Sequence, residues 1–107
     1  VKQSRQEIYY KLGSIYKDQF DEPQLSNDIF YNLLNFNLDK KLIPPTKYFI
    51  YKNLVSLDSL SAAENFKNQI IENHPESKYA AILLDPNYNL NIKKLMMFIW
   101  IKTMRSP

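Results

Sequence analysis

Tyr9-Tyr10-Lys11-Leu12-Gly13-Ser14-Ile15-Tyr16 sets the chain's one glycine inside an apolar pattern of helical period. Ile8, Leu12, Ile15 and Tyr16 recur at helical spacing, so they share one helix face, which is expected to point inward. Ser4 and Glu7 stand at capping-box spacing just upstream, so Ser4 is the expected N-cap of a helix reaching about Gln19. Gly13 in mid-helix is not a turn residue. With no Cβ there, a second helix can come close, and the pattern reads as the first arm of a helical hairpin.

The same grammar continues downstream. Pro23 suits a first helical turn and opens a second helix carrying Leu25, Ile29, Phe30, Leu33 and Leu34 on one face. That helix ends between Phe36 and Asp39. The linker 39–46 holds Pro44-Pro45, which is expected to lie outside any helix. A third helix, from Thr46 to about Ser56, turns Phe49, Ile50, Leu54 and Leu57 inward. Asp58 or Ser59 caps a fourth, with Leu60, Ala63, Phe66 and Ile70 inward, and Pro75 follows it. A short fifth helix over 76–84 points Tyr79, Ala80 and Leu83 inward and stops at Asp85-Pro86. The expected fold class is all-α, with antiparallel helical hairpins stacked as a short solenoid.

Composition excludes several functions. The 107 residues fit one small domain, and 45% hydrophobic content is enough for a core. One glycine leaves no room for a Gly-rich phosphate loop. The absence of cysteine removes disulfides, thiolate metal sites and thiol catalysis. His74 is the single histidine and reads as a surface or capping residue, because nothing completes a metal set around it. The carboxylates Asp18, Asp21 and Glu22 fall in a turn, where Asp serves local hydrogen bonds. No base is set beside a Ser or Thr by any catalytic pattern. No enzyme activity, cofactor or metal is expected. The net charge is +3, but the basic residues are scattered apart from Lys40-Lys41 and Lys93-Lys94, so no nucleic-acid partner is expected. The chain begins with Val1 and shows no charged-then-apolar leader, which leaves a fragment or a processed form as the expectation.

The helix pairs repeat one another. Tyr48, Ile50 and Leu54 follow Tyr10, Leu12 and Tyr16 at one constant offset of 38 residues. Ser26-x3-Phe30 and Ala62-x3-Phe66 match at an offset of 36, as do Leu34 and Ile70. The difference implies that the turn of the first hairpin is about two residues longer. Tyr9-x2-Leu12-Gly13-x2-Tyr16 resembles the first half of a tetratricopeptide (TPR) repeat, with Tyr in place of Trp. Ala62-x3-Phe66 followed by Pro75 resembles the second half. Small Gly13 and Ala62 are expected where helices cross, and large Tyr16 and Phe66 where layers are filled. Ser26, Leu38 and Tyr51 depart from the pattern, standing where Ala, Pro and Gly are usual. The repeats span about 5–38 and 45–75, with a half-repeat cap at 76–84 inside a domain of 1–88.

A narrower resemblance lies in 10–20 and in Asn73-His74-Pro75-Glu76-Ser77-Lys78-Tyr79-Ala80, closing on Asp85-Pro86-Asn87-Tyr88. These stretches are similar to repeats of large gliding-motility lipoproteins of the SprE/PorW type, part of the type IX secretion apparatus. The resemblance implies a scaffold in the cell envelope, at the periplasm or outer membrane, within a longer lipoprotein. Its partners would be other proteins or extended peptide segments. A purely structural spacer within a longer solenoid is the alternative.

In such solenoids the first helix of each pair lines a concave groove. The candidate peptide-binding residues are Tyr10, Ser14 and Lys17 in the first pair and Tyr48 and Lys52 in the second. Tyr10 is equivalent to Tyr48, and Ser14 to Lys52. Tyrosines would act as rigid platforms and lysines as point charges for an extended or acidic peptide. The tail 89–107 keeps three readings open. It holds an apolar run, Leu95 to Ile101, far shorter than the roughly 20 residues a membrane span requires. It reads as a capping helix, as an unstructured end, or as a docking segment for a membrane surface or partner. Membrane contact is expected only through this tail or a lipid anchor outside the chain.

Overall fold

The structure is a computed structural model that describes residues 4–85, 87 and 96–102. Every regular element among them is helical. In order they are α1 (Arg5–Asp18), α2 (Pro23–Asn35), a 3₁₀ turn (Lys40–Leu42), α3 (Ile43–Ser56), α4 (Leu60–Asn73) and α5 (Lys78–Leu84). A further short helix, α6, covers 96–102. Most of the tail 89–107 lies outside the described residues.

Local chemistry sets the ends. Ser4 caps α1 as expected, its hydroxyl accepting the Glu7 N–H at 3.1 Å. Ser77 does the same for α5, accepting from the Ala80 N–H. Pro23 opens α2. Pro44 and Pro45, expected outside any helix, lie in the first turn of α3 instead. Their missing N–H groups are ones that a first turn leaves without an intrahelical acceptor. The 39–46 linker therefore shrinks to a short 3₁₀ link. At its other end, α3 closes in a Schellman motif. Asp58 takes φ of 59°, the Ser59 N–H bonds the Leu54 carbonyl, and the Asp58 N–H bonds that of Val55.

Consecutive helices pack as pairs, α1 on α2 and α3 on α4, and α2 and α4 also pack on α3 and α5. The odd helices α1, α3 and α5 meet along one side. Gln6 near the start of α1 reaches past the end of α2. Its amide donates to the Asn37 carbonyl and accepts from the Asp39 N–H, so α1 and α2 run antiparallel. The central core joins Phe30, Leu33, Leu38, Ile50, Leu54 and Ala63. Gly13 sits against Phe30, and a Cβ there would meet the ring at 2.7 Å. The close crossing read from that glycine is present.

Several inward assignments are corrected. Ile8, Leu12 and Ile15, expected to face the core, are 51%, 38% and 38% exposed. Periodicity identified a real stripe, but the neighbour that would cover it is absent from the described residues. Leu25, Leu57 and Leu60 are also exposed, lying at or near helix ends beyond the reach of the adjoining helix. Ala62 is exposed, and Ala63 takes the buried place. The physical reason is turn length. Residues 19–22 connect the first pair and 57–59 the second, a difference of one residue rather than two. The equivalent of Ser26 is then Ala63, and that of Leu33 is Ile70. Tyr16 and Phe66 are half-buried rather than filling a layer, resting beside Phe20 and Tyr31.

Candidate functional site

Side chains of the odd helices build one aromatic row. Tyr10 of α1 lies 5.8 Å from Phe49 of α3 between ring centroids. Tyr48 lies 6.4 Å from Phe49 and 5.0 Å from Tyr79 of α5. Tyr51 flanks Tyr48 at 6.2 Å. Behind the row, Phe30 of α2 stacks on Phe49 at 5.7 Å and anchors it to the core. Such tilted pairs are favoured by the ring quadrupoles, so the row is held rigidly without hydrogen bonds. Two ammonium groups stand over it. Lys52 Nζ is 5.8 Å from the Tyr48 ring and Lys78 Nζ is 5.3 Å from the Tyr79 ring.

Burial has electrostatic consequences here. It pushes the Tyr10 phenol up to about 12, with a smaller contribution from Tyr79. Burial also raises Tyr48, helped by Tyr51 and Tyr79. The Tyr10 and Tyr48 rings therefore act as neutral surfaces at physiological pH. Below the row, Lys47 is pulled down by burial. His74 ends α4, and its ring is pulled down by burial and by Lys47, against a smaller opposing effect of Glu76.

The five residues expected to line the groove divide into two sets. Tyr10, Tyr48 and Lys52 are brought together on the row. Ser14 donates its hydroxyl to the Tyr10 carbonyl one turn earlier, at 3.0 Å, so its polarity is used locally. Lys17 is largely covered and pairs with Asp18 at 3.7 Å. The sequence reading did not assign Tyr79 and Lys78 to the groove. Tyr79 was read as a core residue of a short last helix, and no repeat position linked it to Tyr10 and Tyr48.

A second missed feature lies behind the row. The Asn53 amide donates to Ser26 Oγ and Asn27 Oδ1, both at 2.9 Å, and Ser26 donates to the Gly13 carbonyl at 2.8 Å. All three side chains are buried. This network ties α1, α2 and α3 together and gives Ser26 a reason to stand where the repeat pattern has Ala.

Away from the row, on the side of α1 turned from α3, α1 and α2 leave a groove. It holds a cavity of about 380 Å³ lined by Arg5, Gln6, Tyr9, Leu33, Phe36 and Asn37. A second of about 160 Å³ shares Tyr9, Leu33 and Phe36 and adds Ile29 and Asn32. Among the described residues no cluster of acidic, His or Cys side chains could hold a metal ion. No described helix is long and apolar enough to cross a membrane. No protein-family model, curated protein or solved structure matches the sequence.

Proposed function

We propose that this chain is a protein-interaction module of stacked helical hairpins, of the tetratricopeptide type, that holds extended peptide segments along the row Tyr10, Tyr48 and Tyr79. The observation that carries the reading is the alignment of aromatic side chains from α1, α3 and α5, with Lys52 and Lys78 over two of the rings. Phenol rings have few rotamers to lose, so they offer contact area at low entropic cost. Lysine ammonium groups select acidic side chains, and the net charge of +3 favours the same partners. Pairwise packing of consecutive helices, with the odd helices meeting along one side, supports the hairpin stacking. The setting in an envelope secretion and motility assembly rests on the resemblance of 10–20 and 73–88 alone.

The test is fluorescence anisotropy of the whole chain against extended peptides of matched length, one set acidic and one basic. The expected result is binding of acidic peptides that weakens as salt rises. Tyr48→Ala and Lys52→Glu, checked for unchanged helicity by circular dichroism, are each expected to weaken binding about tenfold, or about 1.4 kcal/mol. Equal binding of both peptide sets, no binding, or indifference to both substitutions would remove the reading.

A further inference from the structure

The tyrosine row is chemically uneven along its length. Lys52 Nζ stands over the Tyr48 ring and Lys78 Nζ over the Tyr79 ring, and among the described residues neither lysine is paired with a carboxylate. α3 and α5 hold Lys47, Lys52 and Lys78 and no Asp or Glu. α1 differs: it sets Glu7 and Asp18 among its cations, and Asp18 lies 3.7 Å from Lys17. Among the described residues no ammonium stands over the Tyr10 ring. The repeat shows why. Ser14 follows Tyr10 by one turn where Lys52 follows Tyr48 by one turn, and the Ser14 hydroxyl donates to the Tyr10 carbonyl. Burial also pushes the Tyr10 phenol up to about 12. A half-buried ring with no cation over it favours an apolar neighbour, whereas unpaired ammonium groups favour carboxylates.

The ring spacing sets a length scale. Centroids lie 5.8 Å apart from Tyr10 to Phe49, 6.4 Å from Phe49 to Tyr48 and 5.0 Å from Tyr48 to Tyr79. An extended chain rises about 6.7 Å over two residues, so alternate side chains of one peptide can meet successive rings. The two steps from Tyr10 to Tyr48 then correspond to about four residues of peptide. In a stack of hairpins each pair touches only its neighbours, so pairs added on either side would leave this row open.

Resting on the peptide-binding reading of the row, we infer that its ligand has two parts. One is an apolar or aromatic side chain for the Tyr10 end. The other, about four residues away along an extended segment, is a pair of acidic side chains for Lys52 and Lys78. The test compares two extended peptides of identical composition, by fluorescence anisotropy against the whole chain. Both are blocked at their ends, so that side-chain carboxylates are the only anionic groups. In the split peptide a Phe stands about four residues from a pair of Glu. In the spread peptide one Glu lies toward each end, with the Phe between them. Wild type is expected to hold the split peptide about tenfold tighter. Ser14→Lys places an ammonium one turn after Tyr10, as Lys52 is placed after Tyr48. It is expected to abolish the preference by strengthening the spread peptide, with helicity unchanged by circular dichroism. Lys78→Glu is expected to weaken the split peptide about tenfold. Equal binding of the two peptides by wild type would overturn the two-part ligand and leave the acid-selective row standing. A preference that survives Ser14→Lys would overturn it as well, since the charge over Tyr10 would then not set the order. Failure of both peptides would also overturn it, and the uniformly acidic set then decides whether the row holds peptide at all.

Discussion

α1 and α3 are the first helices of successive pairs and present matching positions, yet their outer faces have opposite fates. In α3 that face, Thr46, Ile50 and Asn53, is sealed against α2, two of its three residues being polar. In α1 it is Ile8, Leu12 and Ile15, wholly apolar and open. Hydrophobicity alone would rank the two the other way round. Burial here follows the presence of a neighbouring helix, and the side-chain chemistry is fitted to that neighbour. Where α2 supplies Ser26 and Asn27, α3 answers with Asn53. Among the described residues nothing covers the α1 stripe.

The sharpest way to break this comparison is to truncate both faces at the same place. Ile50→Ala removes a fully enclosed side chain and is expected to cost about 2–5 kcal/mol. Leu12→Ala, measured in dilute solution, is expected to cost less than about 1 kcal/mol, because its side chain already meets water. Urea denaturation of the two variants decides it. Equal losses would mean that the α1 face is covered in solution.

Asn53 tests whether the polar character of the α3 face is structural. Asn53→Ala leaves Ser26 Oγ and Asn27 Oδ1 without their shared donor inside the core. The expected loss is about 1–3 kcal/mol by urea denaturation. Ile15→Ala, at the equivalent place in α1, should cost less. If Asn53→Ala were neutral, the network would not be what joins α3 to α2.

How much of this was legible beforehand divides along the same line. Two helix starts were legible because Ser4 and Pro23 act through their own backbone neighbourhood, whereas the Ser77 cap of α5 was not singled out. Gly13 was legible because only a close crossing accounts for a glycine within an apolar helical pattern. The buried polar set was not, since Asn27, Thr46 and Asn53 look like surface residues until the facing helix is known. The open side of α1 was misread as core for the mirror-image reason, as periodicity shows a stripe but not its occupant. In the candidate row, Tyr10, Tyr48 and Lys52 had been singled out from the sequence spacing, and the structure brings them together. Ser14 and Lys17 were placed on the right helix, but their bonds to the Tyr10 carbonyl and to Asp18 depend on local geometry. Tyr79 carried no repeat signal at all.

Thr46 sharpens the comparison on a smaller scale. Its hydroxyl is buried without a hydrogen-bond partner, at the position where α1 has Ile8. Valine has nearly the same shape and no polar atom to desolvate. Thr46→Val is therefore expected to stabilise the chain by about 1 kcal/mol, read as a raised urea midpoint. A loss of stability would mean that the hydroxyl is satisfied in solution.

A pH-dependent contrast lies on the opposite side of α1, where Tyr10 packs against Phe30 and Phe49. Its phenol, ordinarily ionising at 10.0, is pushed up to about 12 by burial in the folded chain. Below pH 10 both states keep the proton, and the contribution of Tyr10 to stability is whole. Between 10 and 12 the unfolded chain releases it first, so that contribution falls as pH rises and is lost by the time the folded group ionises. Tyr31 and Tyr48, also raised by burial, act in the same direction. The difference between wild type and Tyr10→Phe isolates the share of Tyr10. Thermal melts followed by circular dichroism should show a steeper fall above pH 10 for wild type than for Tyr10→Phe. Parallel curves would mean that the Tyr10 ring is open to water in solution. The inner face of α1 would then be as loosely held as its outer one, and the contrast between the two sides of that helix would disappear.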